Sequence, residues 1–324
     1  MTDLPSYDQL PVTDGAPAGS SWGVWGDDDV FGCLNLLTPQ RAVAGAACVR
    51  RGAAFALNWQ MELPDPPLFG RAPFAHEVSW LQGEVGHDDH LSGWNTQSSS
   101  QWDGFRHIRH ATHGFYGGVD DEAHGIHHWA RRGLVGRGVL CDVGRWRESD
   151  GRALQYDQPD GITASDIEST LAAQGVVVEP GDVLLLRTGW TGWYRGLDGA
   201  GRSALAGDLK APGLQPSREM LALLWDLHVA AVAGDNPALE AWPPGSHVDR
   251  SQLGEIMGDP ERRWEVFMHF AILPLLGLPI GEMWDLEALA ADCASDGVYE
   301  CLFTSAPLNL ASGVASPPNA LAVK

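Results

Sequence analysis

The sequence predicts one α/β domain that is preceded by an extended arm. Segments with helical periodicity alternate with short β-rich runs, which is the pattern of an α/β architecture. The 324 residues show no internal repeat, no low-complexity tract and no clear interdomain linker. Residues 1–21 are rich in Pro, Ser, Asp and Gly, so we assign them to the arm and residues 22–324 to the domain.

The composition is that of an ordinary globular protein, with 44% hydrophobic and 19% charged residues. The formal net charge of -21 argues against nucleic acids and anionic membranes as partners, because both are polyanions. An anionic substrate stays compatible with this charge, since a local cluster of arginines can override the overall field.

The cysteines and the apolar segments favour a cytoplasmic protein. The five cysteines are scattered without a Cys-x-x-Cys spacing, which is typical of reduced thiols. The N-terminus lacks a basic segment followed by an apolar one, so we expect no secretory signal. The longest apolar runs are shorter than the ~20 residues of a membrane-spanning helix.

Local signals predict the elements in the first third of the chain. A helix is expected over residues 38–52, with Thr38 as its N-cap, Pro39 in its first turn and Gly52 at its end. A strand should follow at 53–61. From about 64 to 98 the chain is rich in Pro, His, Asp and Gly, which predicts a lid or an irregular loop.

The remainder of the chain continues the alternation. Thr163 or Ser165 should cap a helix that ends at Gly175. The residues around His124, His127 and His128 predict a helical turn at the surface. Further elements are expected at 138–143 (strand), 179–190 (strand), 217–235 (helix, then strand), 262–277 (a long apolar helix) and 286–294 (helix).

The stretch around Asp103 carries the first candidate for chemistry. If residues 99–103 are extended, Gln101 and Asp103 point to the same face, because strand side chains repeat every two residues. A turn at Gly104 would then return His107 toward them. An amide oxygen, a carboxylate and an imidazole suit a divalent ion. On periodicity alone, a hydrogen-bonded loop explains the pattern equally well.

Other histidines and acids have two interpretations each. His110 and His113 continue a spacing of three from His107, and we expect some of the three in the chemistry and the others at a pocket rim. His269 lies alone in an apolar run and is either a core residue or, with Glu282, a ligand on a rigid wall. Asp235 follows a predicted strand, where it either supports the site residues from behind or caps a turn.

Together these segments resemble the cyclase family that includes bacterial kynurenine formamidase and isatin hydrolase. The family signature is His-x-Gly-Thr-His-x-Asp-x-Pro-x-His, followed far downstream by a His and then a Glu. Asp103, His107, His269 and Glu282 match it, with one extra residue between the last two. The likeness runs from about residue 22 to the end and is greatest to the branch with a Ser-Gln-Trp-Asp-Gly core.

The resemblance implies a fold of the swivelling β/β/α type, with a mixed, partly barrel-like sheet flanked by helices, in a homodimer or homotetramer. It implies His107 as the catalytic base and one divalent metal ion held by Gln101, Asp103, His269 and Glu282. The two metal-binding histidines of the main branch are replaced by Gln97 and Gln101. Because amides are oxygen donors, manganese is favoured, with zinc as the alternative.

The activity implied by the resemblance is metal-dependent hydrolysis of a lactone or of an amide, lactam or arylformamide bond through a metal-activated water. Alternatives from other classes are a polyketide-type cyclase, a non-haem metal oxygenase and a metal-free binding protein. Six aromatic or basic residues are candidates to contact a small, aromatic substrate: Trp102, Phe105, Arg106, His113, Tyr116 and Trp190.

Overall fold

The computed structural model describes residues 4–119 and 121–324 of the chain. Its strands are β1 (Ala54–Ala56), β2 (Ala75–Trp80), β3 (His87–Ser92), β4 (Gln101–Asp103), β5 (Leu134–Cys141), β6 (Gly161–Ile162), β7 (Val183–Leu186), β8 (Gly213–Leu214), β9 (Ala231–Gly234), β10 (Ile280–Glu282), β11 (Glu300–Ser305), β12 (Ala315–Ser316) and β13 (Ala320–Val323).

The helices lie between these strands. They are α1 (Pro39–Ala46), α2 (His127–Arg132), α3 (Val143–Ser149), α4 (Ala164–Gln174), α5 (Trp190–Arg195), α6 (Gly199–Gly207), α7 (Arg218–Asp226), α8 (Arg250–Gly258), α9 (His269–Ile272) and α10 (Glu287–Asp296). Short 3-10 helices occupy Tyr7–Gln9, Gly32–Leu36, Tyr116–Gly118, Asp121–His124 and Pro260–Glu265.

Within the described residues, nine strands form one mixed sheet in the order β1-β13-β11-β5-β7-β9-β10-β4-β12. The central strands β5, β7, β9 and β10 are parallel, and the strands on both sides are antiparallel. The sheet curls into a half-barrel flanked by helices, which confirms the predicted α/β class and the partly barrel-like sheet. Strands β7 and β9 are wholly buried, as expected for parallel strands covered on both faces.

The capping signals predicted helix starts correctly. Thr38 caps α1, and Thr163 forms a reciprocal capping box with Asp166 at the start of α4. Gly175 ends α4 in the left-handed conformation with a φ of 65°. The predicted helix over 38–52 is shorter than expected, because α1 ends at Ala46.

Two expectations of the sequence were wrong. The long helix predicted over 262–277 is broken into the 3-10 helix Pro260–Glu265 and the single turn of α9. Pro274 explains the stop, since a proline has no N–H to donate to the carbonyl oxygen four residues earlier, here that of Phe270. The supposed loop at 64–98 contains the antiparallel hairpin β2–β3, whose side chains are all exposed.

The described part of the arm, residues 4–21, contains only one short helix and lies against the domain. Trp225 Nε1 donates to Pro5 O at 2.8 Å, and Tyr7 N donates to Asp226 Oδ1 at 2.7 Å, both at α7. Ser21 N donates to Leu275 O at 2.9 Å, in the segment after α9. The arm therefore contacts α7 and the segment that follows α9.

Candidate metal centre

The antiparallel pair β4–β10 brings the two halves of the sequence motif together. Gln101 lies opposite Glu282 in the ladder, and Asp103 lies opposite Ile280. Side chains two residues apart share a face, so Gln101, Asp103 and Glu282 project from the same side of the sheet. All three are buried, at 0%, 0% and 4% exposure.

His269 completes the cluster from the first residue of α9. Its Nε2 lies 3.2 Å from Glu282 Oε1 and 3.9 Å from Asp103 Oδ2. The imidazole stacks on Phe267, with ring centroids 4.1 Å apart and planes inclined by 4°. This stacking restricts the ring to the plane in which Nε2 faces the carboxylates.

His107 reaches the cluster through the turn predicted at Gly104. Its backbone N–H donates to Gly104 O at 2.9 Å, which folds the chain back after β4. His107 Nε2 then lies 3.8 Å from Asp103 Oδ2, and the side chain is 24% exposed. The histidine is therefore the member of the group that solvent and small molecules can reach.

The donor atoms of the cluster fit a divalent cation. One ligand atom each from Asp103, His269 and Glu282 can be chosen so that all lie within 4.8 Å of one another. Among the described residues, neither Asp103 Oδ2 nor Gln101 Oε1 has a hydrogen-bond partner, although both are buried. Buried oxygens without a partner are costly, and a cation would satisfy both.

The charged side chains of the cluster shift one another's pKa values. Burial raises the pKa of Glu282 to about 7, and the Asp103 carboxylate adds to the rise. Burial opposes a charged imidazole at His269, but Glu240 and the other carboxylates outweigh it and hold its pKa well above the ordinary value. Burial also favours neutral Asp103, yet the imidazoles of His107 and His269 lower its pKa overall. A proton at His269 thus occupies the place that a cation would take.

Comparison with known proteins gives the family. The model of the cyclase family, described as "Putative cyclase", matches residues 53–241. The chain belongs to the cyclase family. A crystal structure of a novel cyclase is 32% identical, covers 94% of this chain and 99% of its own, and superposes with a TM-score of 0.78. No curated protein matches the sequence.

More distant structures share the fold of this cyclase-family chain. Isatin hydrolase A from Ralstonia solanacearum is 18% identical, with 89% of this chain and 98% of its own covered and a TM-score of 0.57. Isatin hydrolase A from Labrenzia aggregata bound to benzyl benzoate is 17% identical over 87% of this chain and 97% of its own, with a TM-score of 0.54. At such identities the similarity concerns the fold alone.

The aromatic residues expected around a substrate lie in the hydrophobic core of the cyclase domain instead. Trp102 projects from the face of β4 opposite to Gln101, since strand side chains alternate, and is 0% exposed. Phe105 and Tyr116 are buried against each other, with ring centroids 4.9 Å apart. Trp190 stacks in a separate apolar cluster. The structure does not bring any of these four rings to the cluster of ligands.

The two polar residues expected at the substrate are also placed elsewhere. Arg106 donates through Nη1 to Ser312 O, in the loop before β12. His113 Nε2 lies 3.1 Å from Glu261 Oε1, at the start of the 3-10 helix before α9.

In the part of the chain that the structure describes, no helix has the length and apolar character to cross a membrane.

Two residues in contact with the cluster were not predicted in these roles. Glu240, 1% exposed, accepts from His269 Nδ1 at 2.8 Å and from Met268 N at 3.1 Å. Gln97 Nε2 lies 2.6 Å from Asp103 Oδ1 and 3.1 Å from His107 Nδ1. The one sequence signal for Glu240 is an acid amid the apolar residues of Pro-Ala-Leu-Glu-Ala-Trp.

Asp235, by contrast, acts as a cap. Its carboxylate accepts the backbone N–H groups of Thr188 and Gly189 at 2.7 and 2.8 Å, at the turn before α5. Burial raises its pKa to about 6, in spite of the nearby guanidinium of Arg187. Of its two interpretations, the turn cap is the one with hydrogen bonds to support it.

Proposed function

We propose that this cyclase-family protein is a metal-dependent hydrolase that opens a lactone or a cyclic amide, lactam or arylformamide bond of a small molecule. The observation that carries the proposal is the buried group of Asp103, His269 and Glu282. Its carboxylate oxygen Asp103 Oδ2 and the neighbouring Gln101 Oε1 have no hydrogen-bond partner among the described residues. Buried carboxylates and buried oxygens without partners are costly on their own, so a bound cation would stabilise this site.

In this proposal Asp103, His269, Glu282 and Gln101 hold one divalent cation. Manganese is the proposed metal and zinc the alternative, because three of the four side chains donate oxygen. When bound, such a cation lowers the pKa of a water molecule and polarises a carbonyl group. Glu240 keeps the Nδ1 proton of His269, so that Nε2 is the free donor.

His107 is the proposed general base. Burial lowers its pKa below the ordinary value, so the imidazole is neutral at pH 7 and can accept a proton. It takes the proton from the water whose oxygen bonds to the scissile carbonyl carbon. When the bond from that carbon to the leaving oxygen or nitrogen breaks, His107 returns the proton to the leaving atom. The net change is the addition of one water molecule.

The test is metal content and turnover of Asp103→Asn against Asp88→Asn, which makes the same substitution on the exposed strand β3. Purified protein is stripped with chelator, reloaded with manganese or zinc, and assayed on lactones, lactams and arylformamides. We expect Asp103→Asn to weaken metal affinity at least about 100-fold and to abolish turnover, because a ligand matters more than the outer partners that cost 10–100-fold. Asp88→Asn should retain both.

Three outcomes would contradict the proposal. Turnover that survives in Asp103→Asn would place the reaction elsewhere. Activity that chelator leaves unchanged would exclude a metal-dependent reaction. Oxygen uptake during turnover would indicate an oxygenase, since hydrolysis needs no oxygen and consumes base when a lactone becomes a carboxylate.

A further inference from the structure

Arg71 is a half-buried cation beside the proposed reaction centre, in the segment that joins β1 to β2. Its Nη1 donates to the backbone oxygen of Gln97, the residue whose side chain contacts Asp103 and His107. Its guanidinium carbon lies 5.0 Å from the centroid of the Phe69 ring. The backbone oxygen of Gln97 and the Phe69 ring thus hold the guanidinium beside Gln97, whose side chain contacts the cluster.

Other arginines with little exposure are paired with acids. Each of these binds at least one carboxylate within 3.2 Å: Arg41, Arg137, Arg147 and Arg187. Arg71 differs, because among the residues that the structure describes no carboxylate oxygen lies within 4.0 Å of its guanidinium. The acids that act on its charge from a greater distance are Glu282 and Asp103. A partly desolvated guanidinium with free donors is suited to a planar, bidentate anion.

The proposed reaction indicates what that anion is. A divalent cation would neutralise the carboxylates of Asp103 and Glu282, the two acids that act on the charge of Arg71. Hydrolysis of a lactone or an amide produces a carboxylate, and a substrate can carry another. We propose that Arg71 binds a carboxylate of the ligand, so that the site prefers anionic ligands to neutral ones of the same shape. The inference rests on the proposed function in taking the Asp103 cluster as the reaction centre.

The experiment is isothermal titration calorimetry of manganese-loaded protein with benzoate, phthalate and the neutral isostere benzamide. We compare wild type with Arg71→Gln, Arg71→Lys and the exposed control Arg50→Gln, which changes the net charge equally. Arg71→Gln should weaken carboxylate binding about 10- to 100-fold, as expected for a charged hydrogen bond, and leave benzamide unaffected. Arg71→Lys should lie between, since it keeps the charge and loses the fork.

The two sources of the carboxylate are separated by the ligands. If Arg71 binds the carboxylate that the reaction forms, Arg71→Gln should weaken the binding of benzoate. If Arg71 binds a carboxylate substituent of the substrate, Arg71→Gln should weaken the binding of phthalate and leave benzoate unaffected. Absent binding of both acids to wild type, or equal binding to Arg71→Gln and Arg50→Gln, would overturn the proposal. The titrations are repeated on metal-free protein, so that the dependence of carboxylate binding on Arg71 is measured separately from metal binding. Failure of the hydrolase proposal would appear in turnover and metal content, whereas failure of this inference would appear only in the calorimetry.

Discussion

Two clusters of imidazole and carboxylate lie near each other in the sequence and differ in their burial and in their hydrogen bonding. Asp103, His269 and Glu282 form the first, and His110, His113 and Glu261 form the second. In both, ligand atoms can be chosen within 4.8 Å of one another. All three residues of the first cluster are buried, whereas the side chain of Glu261 is 50% exposed.

Hydrogen bonding separates the two clusters further. In the first, Glu240 binds Nδ1 of His269 and leaves Nε2 facing the carboxylates. In the second, His110 Nδ1 faces the backbone N–H groups of Thr112 and His113 at 3.3 Å, so its Nε2 carries the proton when the ring is neutral. Proximity of ligand residues is therefore insufficient. Burial and the partner of the second ring nitrogen determine which imidazole can bind a cation.

The largest difference between the clusters should appear on loss of the outer acid. We expect Glu240→Gln to weaken manganese affinity about 10- to 100-fold. The two carboxylate oxygens of Glu240 accept from His269 Nδ1 and from Met268 N, whereas the amide of Gln would face one of these two donors with its own NH2 group. The measurement is competition against a fluorescent chelator. Glu261→Gln is the matched control and should change the affinity less than twofold. Equal losses in the two variants would remove the distinction between the clusters.

The two clusters should respond to pH with opposite sign. Folding raises the pKa of Glu282 to about 7 and the pKa of His269 well above its ordinary value, so both contributions to the stability of metal-free protein are present at low pH. The contribution of Glu282 is lost as the pH rises through about 7, and that of His269 is lost progressively above the ordinary histidine pKa of about 6.5. Burial lowers the pKa of His110, whose contribution is instead lost as the pH falls below about 6.5. From pH 6 to 8, we expect the first cluster to reduce the free energy of unfolding by about 1–2 kcal/mol.

Urea unfolding at fixed pH values checks this prediction. The control is manganese-loaded protein, in which the decrease should vanish, because metal binding strengthens as protons leave the ligands. A metal-free protein that becomes more stable from pH 6 to pH 8 would contradict the assigned protonation of His269 and Glu282.

The smallest effect is expected in the second cluster itself. His113 and Glu261 form a partly exposed pair at 3.1 Å, and such pairs contribute about 0–1 kcal/mol. His113→Gln should therefore lower the free energy of unfolding by less than about 1 kcal/mol and leave manganese stoichiometry unchanged. Thermal unfolding and metal analysis measure the two quantities. Loss of one bound metal per chain in this variant would make the second cluster a site as well.

Local signals in the sequence were sufficient for much of the fold. Caps and periodicity predicted α1, α4 and α10, and the apolar runs predicted β5, β7 and β9. The prediction over 262–277 failed because an apolar composition is compatible with a buried turn as well as with a helix, and Pro274 ends α9 early. The hairpin β2–β3 was missed because its strands are exposed on both faces and carry no buried alternation.

The candidate site was predictable to the extent that its geometry is local. A period of two places Gln101 and Asp103 on one face of β4, and Gly104 lies where the chain turns back toward His107. Those relations depend only on backbone geometry over a few residues, so they can be derived from the amino-acid order.

Contacts between distant segments required the tertiary structure. Gln101 meets Glu282 across 181 residues because β4 pairs with β10, and Glu240 reaches His269 across 29 residues. The four aromatic residues assigned to the substrate are core residues, because side-chain burial depends on what packs against each face. Residue type and spacing thus determine the local conformation and the available ligands. Strand pairing and burial decide which ligands meet, since both arise from segments far apart in the chain.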